Sequence, residues 1–289
     1  MTSPRTKSSP AAGLKSERLE AALARALDGD VDELIDQLTR ASGMPGPRPN
    51  LDLARAMGQA IARAGGRGVE LLKVLAAQEK REYLQMVVAH GYATRAAEGK
   101  ADASELLQRL AEDPHKQIRD GVVDALRALL EARGEAVIGP LAAWTDGYLQ
   151  ASVVLAALGE REVLARLPGN AASEVLARLD ESFDLADKSP RAAERLQGVR
   201  QLREGMPRQI ALFASRFPET IGWLEQRAAN TERPESRQVI DEALTALRKE
   251  TFPQAEVDRL AKILVGSAPP ERYAARIVQG TRKRSKGRR

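Results

Sequence analysis

One helical phrase occurs twice in this chain, 118 residues apart, and it restricts the fold more than any other feature. Arg119-Asp-Gly-Val-Val-Asp-Ala-Leu-Arg-Ala-Leu129 and Arg237-Gln-Val-Ile-Asp-Glu-Ala-Leu-Thr-Ala-Leu247 align without a gap. Arg119 falls on Arg237, Val122 on Ile240, Asp124 on Glu242, Leu126 on Leu244 and Leu129 on Leu247. Three units of about 39 residues would span that separation, near the period of two-helix repeats. A pair of amphipathic helices cannot bury its apolar stripe alone, so such units stack and share one interior. The phrase therefore predicts an all-α chain, with an α-solenoid of antiparallel helix pairs over residues 16–279. A related apolar run, Ala151-Ser-Val-Val-Leu-Ala-Ala-Leu158, lacks the leading arginine, and little of the phrase survives near residue 197. The repeats are divergent.

With 43% hydrophobic but only 3% aromatic residues, the core must be built from Ala and Leu, both strong helix formers. No uninterrupted apolar run of about 18 residues exists, so no transmembrane helix and no membrane association are expected. The first ten residues lack the apolar segment of a secretory signal. The absence of cysteine removes disulfide and thiolate chemistry and fits a cytoplasmic protein. With His90 and His115 as the only histidines, an ordinary zinc set cannot be assembled, and neither metal nor cofactor is expected.

The helical period begins at Ser16, after a polar, Pro/Ser-rich segment (residues 1–15) read as disordered. Leu19, Leu23 and Leu27 share a face up to Gly29, and Asp30 is placed to cap a helix carrying Leu34, Ile35 and Leu38. Gly43-Met-Pro-Gly-Pro-Arg-Pro49 makes a stiff connection or a linker, after which Asn50 caps a helix through Ile61. Gly65-Gly-Arg-Gly68 lacks the ending of a phosphate loop and reads as an interhelical turn. Further helices are expected at about 67–78, 80–97, 102–112, 115–133, 135–144 and 147–158. Residues 160–190 read as short helices and a loop over Phe183–Pro190. Helices then resume at 191–204, 207–215, 218–229, 235–249, 254–265 and 270–279.

The net charge of +5 is a property of the ends. Residues 280–289 hold six basic side chains (Arg282, Lys283, Arg284, Lys286, Arg288 and Arg289), and residues 1–15 hold three (Arg5, Lys7 and Lys15), with no acid in either segment. Removing those nine from +5 leaves residues 16–279 at −4. Such a C-terminal block attracts DNA or RNA in a salt-dependent, largely sequence-independent way, or serves only as a solubilising tail. Lys80-Arg81, Lys116-Arg119, Arg200-Arg203-Arg208 and Arg233-Arg237 form a second basic set along the body, read either as a surface that tracks a phosphate backbone or, because acids intersperse it, as solvated helix faces. Arg119 and Arg237 are assigned to structure.

Leu110-Ala-Glu-Asp-Pro-His-Lys-Gln-Ile-Arg-Asp-Gly-Val-Val-Asp-Ala-Leu126 resembles a HEAT-like unit: a short helix ends at Asp-Pro, and a second opens with an apolar residue and arginine. Together with Leu141-Ala-Ala-Trp-Thr-Asp146 and Ser42–Leu51, it is similar to bacterial HEAT-repeat proteins of the DNA alkylation-repair superfamily, over about residues 30–265. The resemblance implies an armadillo-type superhelix with a concave binding face, and an arginine between repeats that bonds acids or carbonyls. Some members are alkylpurine DNA glycosylases, which need an acid near the sugar and tryptophans facing a cationic base. The matching pieces here are Trp144 and Asp146 as the alternative catalytic pair, with Tyr148 and Trp223 nearby in type. A structural reading gives Trp144 to the core and Asp146 to a helix cap. No paired tryptophans with an acid on one helix are present, and no Ser/His/Asp set can be assembled. His90 and His115 are read as non-catalytic. The leading expectation is a monomeric, non-catalytic scaffold engaging DNA, RNA or a protein partner on its concave face, with the tail adding phosphate affinity.

Overall fold

The structure is a computed structural model that describes residues 10–46, 48–250 and 252–269, with side chains from residue 17 onward. Residues 1–9, the expected helix at 270–279 and the six basic residues Arg282 to Arg289 lie outside the described part. Its first half contains α1 (Pro10–Leu27), α2 (Asp32–Ala41), α3 (Leu51–Arg63), α4 (Gly65–Ala76), α5 (Glu82–Ala97), α6 (Ala101–Leu110) and α7 (Lys116–Arg133). The second contains α8 (Tyr148–Leu158), α9 (Arg161–Arg166), α10 (Ala172–Asp187), α11 (Gln197–Arg216), α12 (Glu219–Asn230), α13 (Pro234–Lys249) and α14 (Gln254–Gly266). Short 3-10 turns precede α8, α10 and α11, and the described residues contain no strand.

Helices pack in a consistent succession. α3 lies on α5, α5 on α7, α7 on α8, α8 on α11, and α11 on α13. Against this row α4 packs on α3 and α5, α6 on α5 and α7, α10 on α8 and α11, and α14 on α12 and α13. The buried apolar side chains form one cluster from Ala22 to Leu264. Leu126 in α7 and Leu244 in α13 are both buried in it. α5 is enclosed on all sides, buried at every position from Tyr83 to Ala93. That enclosure needs close approach. A Cβ on Gly58 of α3 would lie 2.5 Å from the Val87 carbonyl oxygen and 2.7 Å from the Gly91 nitrogen, so only glycine lets α3 sit this near α5.

Local chemistry accounts for the helix ends. Asn50 caps α3 as expected, its side chain accepting from the Leu53 N–H at 3.2 Å. Its backbone N–H donates to the Ser42 carbonyl at 2.8 Å, making the proline-rich connection an ordered bridge between α2 and α3. Asp30 does not cap α2, whose N-cap is Val31. Gly29 adopts φ 110°, and the Asp30 N–H is drawn back to the Arg25 carbonyl, closing α1.

Several expected boundaries are corrected. α1 is helical from Pro10, ahead of Ser16. The glycines after α3 are the first turn of α4, and Gly68 there faces the Ile61 carbonyl with no room for a Cβ. The interval 135–144 is two 3-10 turns. The expected loop at Phe183–Pro190 is helical as far as Asp187, because Leu179, Phe183 and Ala186 line one buried face. Burying an aromatic side chain contributes about 1.5–3 kcal/mol, more than the weak helix propensity of neighbouring Ser and Asp costs. α11 runs unbroken through Pro207, where two helices were expected. Met206, Ile210 and Phe213 are all buried beside it, and their burial offsets the proline's cost of about 3 kcal/mol.

Candidate functional site

The most concentrated buried charge lies where α3, α5 and α7 meet. Asp124 of α7, 8% exposed, accepts from the Arg55 Nη2 of α3 at 2.8 and 2.9 Å. Arg127, one turn along α7, approaches the same carboxylate at 2.8 Å. From α5, His90 Nε2 lies 3.2 Å from Asp124 Oδ2, close enough for attraction but poorly aligned for a hydrogen bond. Burial alone would raise the Asp124 carboxyl. The contacts from His90 and Arg55, with the charge of Arg127, outweigh it and hold the group at about 2. Arg55 is raised in turn, chiefly by its bond to Asp124. The result is a bridge, ionised at neutral pH, tying α3 to α7 across α5.

Beside the bridge a groove of about 360 Å³ opens between α7 and α11, lined also by Ala156 and Gly159. Its charged lining is mixed: Asp120, Asp124 and Glu160 against Arg127 and Arg208. Further along, Arg200 faces Glu204, Glu235 and Glu242. A phosphate backbone would find no uniformly positive track here.

Among the described residues, seven arginines bond backbone carbonyls, and most of these contacts join one helix to another. Arg119, 1% exposed, donates to the Asp113 carbonyl six residues before it and to Gln201 of α11. Arg237 donates to the Thr231 carbonyl, also six residues before it, and to the Leu264 carbonyl at the end of α14. Each is the fourth residue of its helix and meets the carbonyl just beyond the preceding one. Gln85, fourth in α5, does the same for the Leu75 and Ala76 carbonyls of α4. The last carbonyls of a helix lack intrahelical partners and carry the negative end of its dipole, so the Arg237 guanidinium on Leu264 and the Gln85 amide on Leu75 and Ala76 supply donors there. Arg203 bonds the Ala186 carbonyl and Glu194, while Arg233 bonds the Ser189 carbonyl and Glu194. Of the basic set along the body, Arg203 and Arg233 are thus built into joints, as are Arg119 and Arg237, and Lys116 pairs with Asp120.

The alternative pair is separated. Trp144 is 3% exposed within the core, whereas Asp146 is exposed on a cleft with Glu181, Asp184 and Lys188. The N-cap of α8 is Gly147, so Asp146 does not take that role. An aromatic, an acid and an arginine do converge elsewhere. The Trp223 indole N–H donates to Asp180 at 2.5 Å, and Arg227 lies 4.9 Å over the Phe183 ring while pairing with Asp180 and Asp184. These groups satisfy one another and fasten α12 to α10. His115 is exposed and sits 2.9 Å from Asp113. Among the described residues no helix is long and apolar enough to cross a membrane. No family model, curated protein or solved structure matches the chain.

Proposed function

We infer that the chain is a non-catalytic scaffold: a solenoid of divergent HEAT-like helix pairs that holds nucleic acid through residues 280–289 and offers its inner groove to a protein partner. The observation that carries the repeat reading is the joint made twice over, by Arg119 and Arg237, at the same helix position and the same six-residue reach. Two halves of a chain reproduce such a contact when they are built from one unit. The likeness to the alkylation-repair superfamily belongs to this reading, as its source of HEAT-like pairing. Charge distribution supports the division of labour. The groove is mixed in sign, while the C-terminal segment is wholly basic.

The test is binding of the full chain to duplex DNA across a range of ionic strength, beside a chain ending at residue 279. Six phosphate contacts predict a slope of about −5 in log K against log salt, because each neutralised phosphate releases counterions. The slope should vanish on truncation. Binding that survives truncation undiminished, or none by the full chain at low salt, contradicts the assignment.

A further inference from the structure

The groove between α7 and α11 holds charges that do not pair off within it. Of its five charged side chains, three are committed: Asp124 to Arg55 and Arg127, Arg127 in turn to Asp124, and Asp120 to Lys116. One of each sign is left over. Arg208 is exposed on α11, and Glu160 opens α9 with a side chain that makes no capping bond. Neither has a hydrogen bond or an ion pair among the described residues, with the other or with anything else. A third group is uncommitted. Gln209, the neighbour of Arg208, has its side-chain Oε1 fully buried, and that oxygen accepts no hydrogen bond. A buried acceptor without a donor costs free energy that a ligand N–H recovers. The Gln209 side chain lies against Gly159, the C-cap of α8, where a Cβ would come within 3.1 Å of its Cγ and 3.3 Å of its Cδ. Glycine there lets the amide settle against the residue that precedes Glu160.

We propose that this groove binds a free α-amino acid with an aliphatic side chain. The ammonium group donates to Gln209 Oε1 and pairs with Glu160, and the carboxylate accepts from the Arg208 guanidinium. The side chain packs on Leu51, Val123 and Ala156, the apolar part of the lining. A zwitterion answers one uncommitted charge of each sign and one buried acceptor, whereas a simple acid or amine leaves a charge unmatched. Such charge-assisted bonds are stronger than neutral ones. The volume of about 360 Å³ falls within the roughly 300–1,000 Å³ of small-molecule pockets. The inference goes beyond the scaffold reading, because it needs only the lining of the groove.

The full chain is titrated with L-leucine, with isocaproate (the same skeleton without the amine) and with isoamylamine (without the carboxylate), while the backbone ¹H–¹⁵N signal of Gly159 is followed. The expected result is a saturable shift, half-complete at about millimolar leucine, with each analogue about tenfold weaker. Arg208→Gln should weaken leucine about tenfold and leave isoamylamine as it was. Glu160→Gln should weaken leucine as much and leave isocaproate as it was. Gln209→Met keeps the length of the side chain but removes its acceptor, so leucine and isoamylamine should weaken together. The analogue that each charge variant leaves unchanged shows that the groove is intact. No saturable shift of Gly159 by about 50 mM leucine, well above the expected range, overturns the proposal. So does an analogue that binds as tightly as leucine, or unchanged leucine affinity in either charge variant.

Discussion

Asp124 is the residue on which three helices converge, and the consequences of losing it follow from what would be left behind. Asp124→Asn keeps the shape but strips the countercharge from Arg55 and Arg127, both largely covered. Breaking one side of such a bridge costs about 2–4 kcal/mol, to be read from urea unfolding at neutral pH. The pH dependence has a definite sign. The folded carboxyl is depressed to about 2 from an ordinary 3.8, so its stabilisation is full above pH 4 and disappears as pH falls towards 2. The shift corresponds to about 2 kcal/mol, and Asp124→Asn should flatten the acid limb of the stability curve by that amount. Gly58→Ala tests the close approach beneath the bridge. Its Cβ would meet backbone atoms of α5 at 2.5–2.7 Å, so α3 must retreat, at about 2 kcal/mol or more. None of this was legible locally. Asp124 stood out only as the counterpart of Glu242, and Arg55 meets it across 69 residues of sequence. His90 carries no periodic signal, since α5 is buried on every side from Tyr83 to Ala93 and presents no polar face.

At the scale of elements, amphipathic helices could be read directly from their period, although only α3 has the side-chain cap expected of it. α2, α3, α7 and α13 bury the leucines and isoleucines that the 3.6-residue period picks out. Local rules misled where packing overrode them. Pro207 and the Asp/Ser content of α10 are breakers by propensity, yet both sit inside buried helices. Pro207→Ala restores an N–H that can return to the Arg203 carbonyl and removes the ring's clash. Stability should rise by about 1–2 kcal/mol, less than the full proline penalty because buried ring contacts are lost. A fall in thermal midpoint would mean that the ring's packing outweighs the helix term. The repeated phrase was the most informative signal, because it exposed a joint as well as a face. Arg119 and Arg237 are assigned to structure from sequence; Arg119 bonds the Asp113 carbonyl in the turn after α6, and Arg237 the Leu264 carbonyl that the end of α14 leaves open.

For the whole molecule, the body is mildly acidic and its described arginines are mostly committed, which is why the proposed polyanion affinity rests on the C-terminal segment. Charge totals reached that division from sequence. They could not say which body arginines remain free, because burial and carbonyl contacts are three-dimensional. Arg200 and Arg208 are exposed on α11, whereas Arg119, Arg203 and Arg237 hold neighbouring helices together. Comparing urea unfolding of alanine variants at these five positions tests the central claim most directly. The account predicts losses of about 1–3 kcal/mol for Arg119, Arg203 and Arg237, and changes within about 0.5 kcal/mol for Arg200 and Arg208. Equal, negligible effects at all five would show that the arginine joints do not hold the helix layers together.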